Sequence, residues 1–292
     1  MTRVGFIGLG SQGAPMARRI VEAGHPTTLW ARRPATLEPF ADTPARFAGS
    51  PAELAATSDI VCLCVVSDAD VDDVLTREDG VLAGLRDGGL VAVHSTVHPD
   101  TCRALAARGI SVVDAPVSGG GPAAAEGRLL VMVGGEPEHV EACRPVFASY
   151  GDPVVHVGPL GTGQLTKLLN NVLFTANLAT AASTLTLARD LGVDPGRLAE
   201  VVSHGTANSF ALGRIAAAGG TLDRIAAHAG GLLHKDVRLV AELAAEAAAP
   251  AATVLTAADA ALAAMRGATA GELNTPSQED DSQPWRRPCG SG

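Results

Sequence analysis

Short apolar runs alternate with helix-like segments through the first half of the chain. Val4–Ile7, Thr27–Trp30, Ile60–Val66, Leu90–His94, Ser111–Asp114 and Leu129–Gly134 read as strands, with Val154–His156 as a last one. Between them, Ala14–Ala23, Pro51–Ala56, Asp70–Leu75, Pro99–Ala107 and Pro137–Phe147 carry helical spacing. Alternation of this kind predicts a doubly wound, parallel α/β sheet over residues 1–160. After Gly163 the pattern changes. Gln164–Asp190 holds neither Gly nor Pro and is dominated by Leu, Ala, Val and Asn. That predicts one helix of about 27 residues, ~40 Å long at the usual rise. Further helices are expected at Asp194–Val202, Phe210–Ala217, Gly231–Ala248 and Thr253–Ala264, so residues 161–270 read as an all-helical domain. The polar, Pro- and Gly-rich stretch 271–292 is expected to be a disordered tail.

Composition narrows the class. Apolar residues make up 47% and charged residues 18%, which excludes a chain disordered over most of its length. Aromatics are only 3%, so the core must come from close approach of helices and strands. A net charge of −9 argues against nucleic acid and anionic membranes as partners. No run approaches the ~20 continuous apolar residues that span a bilayer. The N-terminus MTRVGFIGLG enters a strand with no basic leader, so a cytoplasmic location is expected. The five cysteines form no CxxC pair; Cys62 and Cys64, two apart in an apolar run, read as buried thiols on one strand face. No HExxH or related spacing occurs among the eight histidines, so no metal is expected.

The first strand leads into Gly8-Leu9-Gly10-Ser11-Gln12-Gly13 and then a helix. G-x-G-x-x-G in a strand–turn–helix setting predicts a dinucleotide site. Gly8 suits the tight turn, Gly10 lets a pyrophosphate approach the backbone, and Gly13 lets the helix pack on the sheet. The helix N-terminus then offers free N–H groups to the phosphates. At the end of the second strand stand Arg32 and Arg33, where an NAD enzyme would carry an acidic residue for the ribose 2′-hydroxyl. A guanidinium pairs with a 2′-phosphate, so NADP is expected rather than NAD.

Two further segments look chemical. Asp114-Ala115-Pro116-Val117-Ser118-Gly119-Gly120 follows the fifth strand, and ligands in such sheets bind beyond strand carboxyl ends. The Ser118 hydroxyl and the N–H groups of Gly119 and Gly120 suit a substrate carboxylate. In GPLGTGQLTKLLNN, residues 158–171, Lys167 and Asn171 are four apart and share a helix face. Leu165, Leu168, Leu169, Val172, Leu173 and Phe174 surround them, which implies a largely buried helix. Desolvation there would lower the Lys167 pKa toward the range useful for proton transfer. Lys235-Asp236 is, by itself, an ordinary charged pair. His94, at the end of the fourth strand, is expected near the nicotinamide as a reserve acid, whereas His204, His228 and His234 read as structural or surface residues.

Taken in order, GFIGLGSQGAPMA at 5–17, Ser95-Thr96, DAPVSGG at 114–120, the Lys167 segment and Lys235-Asp236 resemble the β-hydroxyacid dehydrogenase family over roughly residues 3–265. The resemblance implies a Rossmann-type N-terminal domain, a helical C-terminal domain for substrate and dimerisation, and interconversion of a small 3-hydroxy carboxylic acid and its semialdehyde. It implies Lys167 as catalytic acid/base, Asn171 as a substrate-holding residue, and Ser118, Gly119 and Gly120 at the carboxylate. Thr96 and Lys235 would contact the cofactor, together with Leu9, Ser11 and Gln12 in the loop and Val65 and Val66 at the end of the third strand. The chain departs from the family pattern at Gln12, at Ala31 and at Gly121-Pro122-Ala123, the last of which leaves substrate identity open. Rival readings are an imine reductase-like enzyme, whose relatives carry another residue where Lys167 stands, and a non-catalytic NADPH-binding protein. The long apolar helix points to a homodimer or homotetramer.

Overall fold

The structure is a computed structural model that describes residues 1–272. The tail expected over 271–292 therefore lies, beyond its first two residues, outside the described residues. The chain divides into two compact units. One comprises Met1–Leu173 and returns at Lys235–Ala251; the other holds Phe174–His234 and the chain from Ala252 on.

The first unit is built on a nine-stranded sheet among the described residues. Its strands are β1 (Val4–Ile7), β2 (Thr27–Trp30), β3 (Arg46–Phe47), β4 (Ile60–Leu63), β5 (Leu90–Val93), β6 (Ser111–Asp114), β7 (Val117–Ser118), β8 (Leu129–Gly134) and β9 (Gly151–Gly158). The order β3-β2-β1-β4-β5-β6 is parallel throughout. Strand β8 runs antiparallel to β6 and β7, and β9 pairs with it in parallel. The expected parallel α/β sheet thus carries an antiparallel edge. Because β2 and β4 flank β1 on opposite sides, the strand order reverses at β1, and its carboxyl end is the switch point at which such sheets bind ligands.

Helices α1 (Gly13–Glu22), α2 (Pro51–Ala56), α3 (Asp68–Thr76), α4 (Val81–Gly84), α5 (Pro99–Ala107), α6 (Gly120–Ala125) and α7 (Pro137–Phe147) belong to this unit, with a 3₁₀ turn at Pro34–Phe40. Their starts follow local chemistry. Ser50, Ser67 and His98 accept the N–H groups that open α2, α3 and α5, and Pro occupies the first turn of α2, α5 and α7. The strand expected at Ile60–Val66 stops at Leu63, because Cys64 and Val65 turn into the loop beside β1. Gly120, expected in a loop, opens α6.

Strand alternation splits the core between the two sheet faces. Val4, Phe6, Leu29, Cys62 and Ala92 meet Met16, Ile20, Phe147 and Tyr150 on one face; Ile7, Val61, Leu63, Val91 and Val93 meet Leu54, Val71 and Leu105 on the other. Cys62 and Cys64 pack into the first of these, and burial pushes both thiols up, Cys64 to about 12.

Helices α8 (Thr162–Asp190) and α11 (Asp223–Glu246) each contribute to both units; α9 (Pro195–Ser203), α10 (Phe210–Ala217) and α12 (Ala252–Glu272) lie in the second. Asp194 and Ser209 cap α9 and α10, and Phe174 and Phe210 meet at 6.1 Å. The all-round apolar sequence of α8 does not make it fully buried. Gln164, Leu168, Val172 and Thr175 are buried on one face, while Leu169 and Leu173 remain 60% and 56% exposed.

His94 corrects another expectation. Its ring sits inside an aromatic cluster, 5.4 Å from Phe147 and 5.7 Å from Tyr150. Nδ1 donates to the Ala115 carbonyl at 2.7 Å, and Nε2 accepts from the Tyr150 hydroxyl at 3.1 Å. Burial lowers its pKa to about 4, so it stays neutral and is a core residue rather than a reserve acid. The unfolded chain binds a proton near pH 6.5 that the folded chain takes up only near 4, so stability falls as pH drops through that window. We expect a loss of about 2 kcal/mol from about pH 6.5 to about pH 5. Urea unfolding should show it, and His94→Gln should flatten that slope relative to the native chain although it is less stable at neutral pH. An unchanged slope in the variant would assign the pH dependence to other groups.

Candidate active site

The glycine loop closes the carboxyl end of β1. Gly8 has φ +100°, and a Cβ there would lie 2.2 Å from the Cys64 carbonyl oxygen. At Gly13 a Cβ would lie 1.9 Å from the Gly8 carbonyl oxygen, so only glycine lets α1 begin this close to the strand. Gly10 differs: a Cβ would meet nothing within 4 Å. That open space in front of the α1 N-terminus fits the pyrophosphate of a dinucleotide, and the loop thereby passes a test of shape as well as of sequence. Leu9 is buried, whereas Ser11 is exposed and Gln12 starts α1 without a side-chain cap bond.

The Ser118 segment lies against this loop. A Cβ at Gly121 would stand 2.6 Å from the Ser11 carbonyl oxygen, so the glycine that departs from the family pattern is what lets α6 approach. Ser118 ends β7, half-buried, and Gly119 and Gly120 turn the chain with φ of +133° and +75°. Glycine supplies that left-handed geometry without a steric cost.

Lys167 and Asn171 lie one turn apart on α8, both half-buried. The helix start is held by Asp114, a fully buried carboxylate that accepts from Gly161 N at 2.7 Å and Gln164 N at 2.6 Å. Gln164, also fully buried, donates from Nε2 to Ser95 O at 2.8 Å and accepts Val97 N at 3.1 Å. Ser95 Oγ in turn accepts Val65 N at 2.8 Å. Thr96 is thus gripped on both sides, and its carbonyl accepts from Lys235 Nζ. Val66, 68% exposed, follows Val65 in the same loop.

Asp236 completes the cluster. It is buried; Oδ2 accepts Asn171 Nδ2 at 2.6 Å, and Oδ1 lies 3.2 Å from Lys235 Nζ as an ion pair without hydrogen-bond geometry. Burial lowers the Lys167 pKa to about 8, against the charge of Asp236, which raises it. An amine with such a pKa can gain and lose a proton near neutral pH. Asn171 and Lys235 thus meet at Asp236, Lys235 also reaches Thr96, and Lys167 lies one turn before Asn171 in the field of the same carboxylate, while Gly121, after Ser118–Gly120, packs against Ser11 of the glycine loop. Arg32 is 64% exposed beyond β2 and paired with Asp70; Arg33 is exposed beside it. Asp114, Gln164 and Asp70 were not singled out from sequence, since their partners are backbone groups or residues about 30 to 70 positions away.

A family model described as the NAD binding domain of 6-phosphogluconate dehydrogenase matches residues 3–158, and one described as NAD-binding of NADP-dependent 3-hydroxyisobutyrate dehydrogenase matches residues 161–276. An uncharacterized oxidoreductase of Mycobacterium tuberculosis is 38% identical over 69% of this chain and 70% of its own. A 3-hydroxyisobutyrate dehydrogenase of Pseudomonas aeruginosa is 33% identical over 73% of this chain and 72% of its own. Among solved structures, Mycobacterium tuberculosis 3-hydroxyisobutyrate dehydrogenase with L-serine aligns with a TM-score of 0.78 and 29% identity, covering 89% of this chain and 92% of that one. An imine reductase from Pseudomonas sp. aligns with a TM-score of 0.63 over 93% of this chain and 95% of its own, but at 21% identity it shares only the fold. The chain belongs to the β-hydroxyacid dehydrogenase family, as an oxidoreductase of the 3-hydroxyacid dehydrogenase class with a nicotinamide-binding Rossmann domain. Among the described residues no helix is long and apolar enough to cross a membrane.

The loop geometry separates two substitutions. Gly13→Ala should destabilise the fold by about 3 kcal/mol or more, because the new methyl meets backbone. Gly10→Ala should unfold within about 0.5 kcal/mol of the native chain, since its methyl enters open space. Chemical denaturation of both variants checks the contrast; equal losses would contradict the loop geometry.

Proposed function

We propose that this chain is an NADP-dependent dehydrogenase that interconverts a small 3-hydroxy carboxylic acid and its semialdehyde, with Lys167 as the general acid/base. The observation that carries the reading is the Lys167 amine, half-buried one turn from Asn171, with its pKa lowered to about 8. The 3-hydroxyisobutyrate dehydrogenase relatives, and the NADP in the description of the second family model, support the same substrate class and cofactor. Residues 1–160 serve as the cofactor domain and 161–270 as the substrate and dimerisation domain, in a homodimer or homotetramer.

A bound nicotinamide supplies or accepts hydride at its C4. The chain's own residues do the rest. Gly8–Gly13 hold the pyrophosphate at the start of α1, Arg32 and Arg33 take the 2′-phosphate, and Val65, Val66, Thr96 and Lys235 line the remainder of the cofactor. Ser118, Gly119 and Gly120 bind the substrate carboxylate, and Asn171 Nδ2, oriented by Asp236, steers the substrate oxygen toward Lys167. In oxidation the neutral Lys167 amine takes the hydroxyl proton; in reduction its ammonium returns it to the carbonyl oxygen. Positioning of the two partners and stabilisation of charge on oxygen supply most of the acceleration.

Lys167→Ala should lower kcat at least ~10²-fold with little change in cofactor affinity, and Lys167→Arg should not restore it. Single-turnover hydride transfer with both ligands saturating is the decisive measurement; a near-native rate there would reduce Lys167 to a binding residue. The pH profile carries the sign. Oxidation should accelerate as pH rises through about 8, and reduction should slow over the same range. A panel of semialdehydes and imines followed by NADPH absorbance distinguishes this reading from imine reduction, and absence of turnover on every member would favour a binding protein.

The cofactor assignment has its own check. Arg32→Asp, alone or with Arg33→Ser, should weaken NADPH by about 1.5–3 kcal/mol, roughly 10- to 150-fold, and NADH much less. Equal loss of both cofactors would sink the phosphate-clamp assignment.

A further inference from the structure

Arg32 does not stand alone at the end of β2. Its Nη2 donates to Asp70 Oδ1 at 3.1 Å and lies 3.7 Å from Asp73 Oδ2. Asp70 and Asp73 are three apart on α3 and so share the face that meets the guanidinium. Asp70 is also fixed on its other side. Ser67 Oγ donates to Asp70 Oδ2 at 2.7 Å and accepts Asp70 N at 3.2 Å, the cap that opens the helix. The Ser67 bond first, and then Arg32, holds the Asp70 carboxyl below the usual carboxylate range, so it is an anion at neutral pH. Asp68, on the same helix, is turned elsewhere and accepts His98 N and Thr101 Oγ1.

The charge balance at this spot is therefore not the pair of cations that Arg32-Arg33 suggests in sequence. One guanidinium is already shared by two carboxylates, and Arg33 brings the local sum only to zero. A 2′-phosphate bonded to Arg32 joins a guanidinium that already faces both carboxylates. It must share the guanidinium with them or release it, and their repulsion remains in either case. A 2′-hydroxyl carries no charge and can donate to a carboxylate, so the same anions do not oppose NAD.

We propose that Asp70, seconded by Asp73, is a specificity-determining residue that occupies Arg32 in place of the 2′-phosphate and so narrows the preference for NADP over NAD. The proposal rests on the reading of Arg32 as the phosphate-binding cation. On that reading the preference for NADP is smaller than the two arginines alone would give, and the competition on α3 sets its size.

The test is fluorescence titration of NADPH and NADH into the full chain and into Asp70→Asn, Asp73→Asn and Arg32→Ala. Asp70→Asn keeps an oxygen for the Ser67 hydroxyl, so the cap of α3 survives. It should tighten NADPH about two- to fivefold, the scale of one exposed charge pair, and move NADH less. Asp73→Asn should act in the same direction and more weakly. The gain should shrink as salt is raised to about 1 M, where charges are screened beyond about 3 Å. An NADPH affinity that stays put in Asp70→Asn, moves equally with NADH, or gains independently of salt would overturn the proposal. Arg32→Ala tells the two possible failures apart. A selective loss of NADPH there, with no selective gain in Asp70→Asn, overturns the role of Asp70 and leaves Arg32 as the phosphate cation. Equal loss of both cofactors in Arg32→Ala overturns the role of Arg32, and the proposal with it.

Discussion

The site depends on one buried carboxylate. Asp114, at the end of β6, takes the N–H groups of Gly161 and Gln164 and so fixes where α8 begins. There is no slack around it. A Cβ at Gly134 would stand 2.4 Å from one Asp114 oxygen and a Cβ at Gly163 2.8 Å from the other, so two glycines shape the space the carboxylate fills. Burial alone would favour the protonated acid and raises its pKa, while the backbone N–H groups pull the other way. The positive end of α8 adds to that pull. Once the first turn is fixed, Lys167 and Asn171 follow at helical spacing, and Gln164 ties that turn to the backbone of Ser95 and Val97.

The electrostatics around Asp236 show a related economy. One carboxylate serves the Asn171 amide and the Lys235 ammonium, and its field also reaches Lys167. Burial pushes the Lys167 proton off and Asp236 draws it back; the value near 8 is what remains of the two. A more exposed lysine would keep its proton to higher pH, and one buried without the carboxylate would lose it at lower pH. Lys235 is committed to Thr96 O and Asp236, which holds its charge against these two groups rather than in solvent.

How much of this was legible in the sequence follows from which interactions are local. The alternation of apolar runs and helices and the glycine loop are written within a few residues, and most elements fell where their pattern put them. The two-residue strands β3 and β7 were not legible, because such strands exist only through pairing with β2 and β8. Strand β4 was read three residues too long because Cys64 and Val65 are apolar for a different reason, packing under the loop. His94 was misread because its partner Tyr150 lies 56 positions away. In the site, the residues that would touch ligands carried a motif, whereas those that hold them, Asp114 and Gln164, bond to backbone and leave no pattern of residue types. The acidic partners of Arg32 sit on another element and were equally silent.

The first unit is not one stretch of polypeptide: it runs to Leu173 and is rejoined at Lys235–Ala251. On the ribosome, the sheet and the first turns of α8 emerge while the segment bearing Lys235 and Asp236 is still untranslated. Until that segment arrives, the Asn171 amide lacks its carboxylate partner and the Thr96 carbonyl its ammonium. The nascent cofactor domain can therefore collapse early, yet its polar cluster is completed only after the intervening helices have been made. Its last native contacts wait on residues encoded some sixty codons downstream of the rest.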